Sequence, residues 1–511
     1  MLAKTISCSV IGIDGWLIQV EVDVARGLPV FSTVGLPDGA VRESKDRVKA
    51  AIKNCGYEFP SKRITVNLAP ADIRKEGTSF DLPIALGILE ATQTLKIKKK
   101  DKYCIVGELS LDGGVHKVAG VLPAVLAARK NNLKGAIIPR DNMSEALLMA
   151  GDLDIITVTS LQEAVEFLAG VRNISPLVPE AEQKDVTNHN YDVDFSEVKG
   201  QAHVRRGLEI AAAGGHNIIL SGPPGGGKTM LAKRFATILP PMSREEVLET
   251  TKVYSISRKL QPTGETLTTR PFRSPHHTIS DAGLIGGGNI PQPGEVSLAH
   301  NGILFLDELP EFKRNVLEVL RQPIEDGEVT IARANMTLTF PAKFTLIAAM
   351  NPCPCGFLGD VRNRCRCTET DIRRYKAKIS GPLLDRIDIH LDVPALEYKD
   401  MSSDHLGESS VQIKSRVDTA RQIQLQRYVD VEGVYCNAQM SNRHIKEYCN
   451  LKTDSKKLLE ISVDRLGLSA RSYHRVLKLS RTIADLEAIQ DIQVSHVAEA
   501  VQLCRSIQVI P

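Results

Sequence analysis

Apolar and polar residues alternate along Leu17-Ile18-Gln19-Val20-Glu21-Val22-Asp23-Val24, the period of a strand with one buried face. Ile64-Thr65-Val66-Asn67-Leu68 repeats the pattern, and 103–109 and 135–138 read as further strands. Residues 82–95 are apolar enough for a buried helix, and 119–129 carry a second helical pattern. Over 171–195 the period is lost; the segment is polar, holds two prolines and reads as a linker. Beyond it, the apolar runs 217–220, 302–306 and 344–348 each lead into a loop of special residues, the layout of an α/β nucleotide-binding domain. After Pro394 the spacing becomes helical, over 411–428, 455–466, 470–486 and 495–504. The expected organisation is therefore a first domain over 1–170, a linker over 171–195, a nucleotide-binding core over 196–395 and a helical domain over 396–511. There is no internal repeat, and Lys98-Lys99-Lys100 reads as a solvated turn.

Composition narrows the class. A chain of 511 residues suggests roughly three domains at ~150 residues each. With 42% hydrophobic and 24% charged residues it is too apolar to be disordered. The balance of 64 Lys+Arg against 61 Asp+Glu excludes a histone-like polycation but leaves room for a local basic stripe. A single Trp excludes a tryptophan-rich stacking surface. The start of the chain has no secretory pattern, and no stretch approaches the ~18 apolar residues of a membrane helix, so a cytoplasmic protein without membrane partners is expected. Ten cysteines in so long a chain are not a small disulfide framework.

The strongest chemical signal is Gly222-Pro223-Pro224-Gly225-Gly226-Gly227-Lys228-Thr229, a complete phosphate-binding loop between a strand and a helix that opens at Met230. Its glycines let backbone N–H groups turn toward phosphates, and the helix N-terminus adds positive potential. Lys228 would neutralise β/γ charge, and the Thr229 hydroxyl would ligate Mg²⁺. Ile303-Leu304-Phe305-Leu306 is an apolar strand ending in Asp307 and Glu308. Asp307 would hold Mg²⁺ and Glu308 would polarise the attacking water, which implies ATP hydrolysis and not binding alone. Asn351 ends a third buried strand, so its amide is expected near the γ-phosphate. Arg386, in Gly381-Pro382-Leu383-Leu384-Asp385-Arg386, and Arg471, at the start of a helix, are either solvated charges or transition-state contacts; residue type alone does not separate the two.

Cys353, Cys355, Cys365 and Cys367 form two close pairs, an insert over 351–368. Four thiolates at this spacing fit a tetrahedral structural Zn²⁺, although CxC is tighter than the usual CxxC, and they leave no open position for catalysis. The same loop carries Arg362, Arg364 and Arg366, so it is also a candidate DNA contact.

The order of these motifs resembles the AAA+ ATPases of the magnesium-chelatase-like clade, and more closely the YifB/ComM family. The blocks that carry the resemblance are 35–52, the phosphate loop, RPFRSPHHTISDAGLIGGG (270–288), 293–312, NPCPCG (351–356), GPLLDRIDIH (381–390) and 468–486. It implies an α/β AAA+ core with a helical lid, Asn351 as first sensor, Arg386 as a finger reaching a neighbour's ATP, and Arg471 as second sensor. It also implies a homo-hexamer that moves DNA, promoting branch migration when incoming DNA recombines. Residues 328–340 read as a hairpin with Arg333 near its tip, and in related helicases such hairpins grip phosphates.

The first domain resembles the ribosomal-S5-like α+β fold shared with the Lon proteolytic domain, through 74–83 and 107–113. Ser79 falls at the Lon-type nucleophile, but Leu122 stands about where its lysine belongs, and a serine without a base is not activated. Ser79 then reads as a helix N-cap with Asp81 nearby. Three functions are weighed: a DNA motor, an ATP-dependent peptidase, and a chelatase-type motor acting on a tetrapyrrole.

Overall fold

A computed structural model describes residues 1–94, 102–179, 192–257, 267, 269–288, 291–333, 336–360, 363–395, 407–431 and 433–504. The lysine run at 98–100, Arg362 and residues 180–191 of the expected linker lie outside these residues. The chain divides into two units, Met1–Val186 with Arg244–Thr268, and Thr187–Ser243 with Thr269–Pro511.

The first unit is a seven-stranded mixed sheet in the order Phe31–Val34, Arg63–Ala69, Asp14–Ala25, Leu2–Ile11, Tyr103–Ile105, Gly135–Pro139, Asp154–Val158. The alternation read at 17–24 is realised: Ile18, Val20, Val22 and Val24 are buried, while Gln19 between them is exposed. Every residue of the helix Asp81–Ala91 except Glu90 is buried. Asp81 is held there by Arg47, whose Nε and Nη2 donate to its carboxylate at 2.6 and 3.1 Å. Burial pushes the Asp81 carboxyl above its ordinary pKa, and Arg47 pulls it back.

Ser79 does not cap this helix. Phe80 occupies the cap position and there is no side-chain capping bond. The backbone fixes the approach instead: Ser79 O accepts from Gly107 N–H at 3.0 Å, and Gly107 O accepts from Leu82 N–H at 3.1 Å. Leu122 is fully buried, and its N–H donates to Glu145 Oε2 at 3.2 Å. The helix Arg244–Ile256, expected within the nucleotide-binding core, groups with this first unit. Its Leu248 packs on the cluster around Val121 and Val125, and Ser255 Oγ donates to the buried Glu145 at 2.5 Å.

The second unit is built on a five-stranded sheet in the order Phe272–Arg273, Ile303–Leu306, Thr345–Met350, Ile218–Ser221, Ile389–Asp392. All neighbouring strands are parallel. Ile218–Ser221 and Ile303–Leu306 are buried at every residue, which is why they read as unbroken apolar runs. The helices Ala202–Gly214, Ser410–Arg427, Ala470–Leu486 and Val494–Leu503 share one apolar core with the sheet. Asp485, fully desolvated in that core, is paired with Arg427 at 2.5 Å and Arg481 at 3.0 Å. Among the described residues no helix is long and apolar enough to cross a membrane.

His390 lies buried in the last strand. Desolvation and then Arg475 draw its pKa from 6.5 down to about 4, with the Ile387 carbonyl and Asp388 opposing. The native state therefore holds this imidazole neutral while the unfolded chain binds a proton below pH 6.5. Stability supplied by this group is present above that value and falls as the pH drops toward 4, by about 3 kcal/mol in all. Urea unfolding of His390→Phe between pH 7 and 4 should lack that share of the acid loss seen in the parent protein.

Candidate nucleotide site and metal cluster

The phosphate loop leaves the buried strand Ile218–Ser221 at the carboxyl ends of the sheet, with strands on both sides. This is where open parallel sheets form ligand crevices. A Cβ at Gly222 would stand 2.1 Å from the Val393 carbonyl oxygen, so only glycine allows the chain to pass there. Gly227, with φ +85°, occupies the left-handed region at the cap of the helix Lys228–Phe235.

The functional side chains converge on this loop. Lys228 Nζ donates to Gly222 O at 2.7 Å, Pro223 O at 2.9 Å and Asn351 Oδ1 at 3.1 Å. Burial lowers its pKa, and Asp307 opposes the shift. Thr229 Oγ1 donates to Asp307 Oδ2 at 2.7 Å, and the Glu308 N–H donates to Asp307 Oδ1 at 2.9 Å. The ammonium, hydroxyl, carboxylates and amide expected to serve ATP and Mg²⁺ are thus within one connected cluster, and their donor and acceptor types suit both. Glu308 adopts a left-handed backbone, φ 52°, a strain of about 1–3 kcal/mol that is held by its surroundings.

Three participants escaped the sequence reading. His277 Nδ1 lies 3.4 Å from Glu308 Oε2, with its ring stacked on His276 at a centroid distance of 4.1 Å. Its motif was visible in the sequence, but not its partner. Gln201 Nε2 donates to Gly226 O at 3.2 Å and Pro394 O at 3.0 Å, tying the phosphate loop to the end of the last strand. Glu325 receives both candidate arginines: Arg386 Nε at 3.0 Å and Arg471 Nη2 at 2.5 Å. Nothing in the sequence joins residues so far apart. Arg386 also donates to Pro382 O at 2.6 Å, and neither arginine bonds to Lys228, Asn351, Asp307 or Glu308 among the described residues. The structure therefore gathers Arg386 and Arg471 at one carboxylate and keeps them out of the chain's own phosphate-loop cluster.

The strands Glu328–Arg333 and Met336–Pro341 pair as a hairpin with Arg333 opposite Met336. Arg333 is exposed and its Nε reaches Gly288 O at 3.4 Å. Arg364 and Arg366 are exposed on the cysteine loop.

The sulfur atoms of Cys353, Cys355, Cys365 and Cys367 lie within 4.8 Å of one another. Cys353 and Cys355 are 3.3 Å apart, Cys353 and Cys365 3.7 Å, and Cys355 and Cys365 3.6 Å. Tetrahedral bonds of ~2.3 Å would set sulfurs about 3.8 Å apart, so the cluster has the dimensions to hold a metal ion. Backbone N–H groups of Arg366 and Phe357 pull the Cys355 thiol down to about 6, while the thiols of Cys365 and Cys367 are pushed up beside it, so without a cation the group favours a single thiolate.

Residues 194–401 match the family described as magnesium chelatase, subunit ChlI; 20–142 match its ChlI subunit description, and 407–504 its C-terminal part. The chain is 44% identical over 502 residues to the competence protein ComM of Haemophilus influenzae, covering 98% of this chain and 96% of that one. It is 43% identical to YifB of Escherichia coli, covering 96% and 94% respectively. A Mycobacterium tuberculosis protein is 39% identical over 98% of both chains. The fold and site are those of a magnesium-chelatase-type AAA+ ATPase. Within that class, the chain belongs to the YifB/ComM family.

Two variants separate the roles in the cluster. Lys228→Ala should abolish binding of a fluorescent ATP analogue. Glu308→Gln should bind it with near-parental affinity while hydrolysis falls by at least ~100-fold, if Glu308 is the group that activates water.

Proposed function

We propose that the protein is an ATP-driven DNA motor, working as a homo-hexamer in the cytoplasm and promoting branch migration during recombination of incoming DNA. The observation that carries the reading is the shared docking of Arg386 and Arg471 on Glu325, apart from the phosphate-loop cluster of the same chain. A transition state at Lys228 lacks an arginine until a neighbour supplies one. Hydrolysis is then tied to assembly in a ring.

The chemistry follows from the cluster. Lys228 and the backbone N–H groups of 222–229 hold the phosphates. Glu308 accepts a proton from a water whose oxygen attacks the γ-phosphorus, and ADP leaves with the former bridging oxygen. Thr229 and Asp307 would hold Mg²⁺, which offsets phosphate charge. Asn351 orients the γ-phosphate from the facing strand end. The C-terminal helices serve as the lid, and the first unit, read as S5/Lon-like, serves assembly or DNA guiding. Arg333 on its exposed hairpin, with Arg362, Arg364 and Arg366, supplies phosphate contacts, and Zn²⁺ on the four thiolates orders the loop that carries three of these arginines. Support for DNA as substrate comes from the Haemophilus relative's description as a competence protein.

A peptidase is disfavoured, because Leu122 is fully buried where the dyad would need a lysine. A chelatase reading has the family description in its favour, and it is tested by whether a porphyrin or forked DNA stimulates ATP turnover. In a fluorescence branch-migration assay the parent protein should require ATP and fail with its slowly hydrolysed analogue. Lys228→Ala and Arg386→Ala should each be inactive alone. Mixed, they should recover a measurable fraction, since one variant offers an intact pocket and the other an intact finger. No recovery in mixed rings, or full hydrolysis by a monomer without DNA, would refute the reading.

A further inference from the structure

The cysteine cluster and the phosphate loop touch. Cys353 follows Asn351, which accepts from Lys228, by two residues, and it opens a turn closed by Gly356 N–H donating to Cys353 O at 3.0 Å. Gly356 sits at φ +84°, and a Cβ there would stand 2.5 Å from Pro224 Cδ and 2.8 Å from its Cγ. The proline ring belongs to the phosphate loop and has no alternative rotamer with which to yield. The far end of the cysteine insert returns to the same place. Thr368, next after Cys367, caps the helix Glu369–Lys376 with a reciprocal bond from Asp371. The buried Tyr375 of that helix reaches the backbone of Asn351. Both ends of the insert thus bear on the residue that faces Lys228, and its first turn lies against the loop that holds phosphate.

We propose that the tetrathiolate centre is a brace for the nucleotide site: metal binding at Cys353, Cys355, Cys365 and Cys367 and nucleotide binding at the phosphate loop are thermodynamically linked through the contact of Gly356 with Pro224. This rests on the reading of 222–229 as an ATP site, and it does not depend on DNA. A metal that fixes the turn fixes Asn351 and supports Pro224, so the loop is ordered before phosphate arrives. Linkage is reciprocal, so bound nucleotide must strengthen retention of the metal by the same factor. Gly356 is then a positioning residue for phosphate binding.

The full-length protein is loaded with Zn²⁺, and transfer of zinc to a chromophoric chelator is timed with and without the slowly hydrolysed ATP analogue. Nucleotide affinity is measured in parallel with a fluorescent analogue. One zinc per chain is expected, with release slowed on the order of tenfold by nucleotide. Gly356→Ala should keep its zinc but lose the protection and bind nucleotide more weakly. Gly359→Ala is the matched control: it has φ +79° in the same loop, and its Cβ would meet nothing within 4 Å, so it should retain both. Pro224→Ala, which removes the ring without straining the backbone, should reproduce the loss of protection. Failure to retain zinc, or identical behaviour of Gly356→Ala and Gly359→Ala, overturns the brace. Nucleotide binding to the parent without protection of zinc overturns the brace alone. Absence of nucleotide binding overturns the ATP-site reading with it.

Discussion

The hydrogen bond from the Lys228 ammonium to the Asn351 amide ties the helix that follows the phosphate loop to the end of the adjacent parallel strand, and the other contacts of the loop are arranged around that closure. The strand Ile218–Ser221 lies between Thr345–Met350 and Ile389–Asp392, with every side chain buried. A strand so placed cannot slide without exposing its apolar faces, so the loop that leaves it has a fixed origin. The strand Ile303–Leu306, on the far side of Thr345–Met350, has the same property, and it delivers Asp307 to the Thr229 hydroxyl. Sheet packing thereby becomes precision at the phosphate loop.

What this arrangement leaves out is as informative as what it gathers. Among the described residues the hydrogen-bonded cluster contains an ammonium, two carboxylates, an amide and a hydroxyl, and no guanidinium. The two arginines suited to a transition state lie together on Glu325, whose carboxyl they hold below its ordinary pKa, Arg386 contributing most. The cysteine cluster begins two residues beyond Asn351, so its four sulfurs stand next along the chain to the residue that accepts from Lys228.

Half-buried strands such as Asp14–Ala25 were legible because their side-chain period is two, and the helix Ala470–Leu486 because its apolar spacing matches its turn. The phosphate loop was legible because its glycines are demanded by local geometry: at Gly222 a carbonyl, at Gly227 the backbone angle itself. Ser79 misled, since a serine before a helix is a capping signal only if the chain enters at the right angle, and here the backbone of Gly107 sets the entry. The helix Arg244–Ile256 misled as well, because its place in the order of the chain gave no hint of the Leu248 and Ser255 contacts that attach it to the first unit.

By itself the sequence determined which chemistry is present: the glycine-rich loop, the acidic strand end, the paired cysteines, and the periods that build two kinds of unit. These are properties of neighbours along the chain, within reach of local steric and periodic rules. Tertiary structure alone decided who meets whom: His277 with Glu308, Arg386 and Arg471 with Glu325, and Gly356 with Pro224. Each of these pairs joins segments whose separation along the chain has no bearing on their distance in space. Only the closing of the sheet and the packing of helices around it could bring them together.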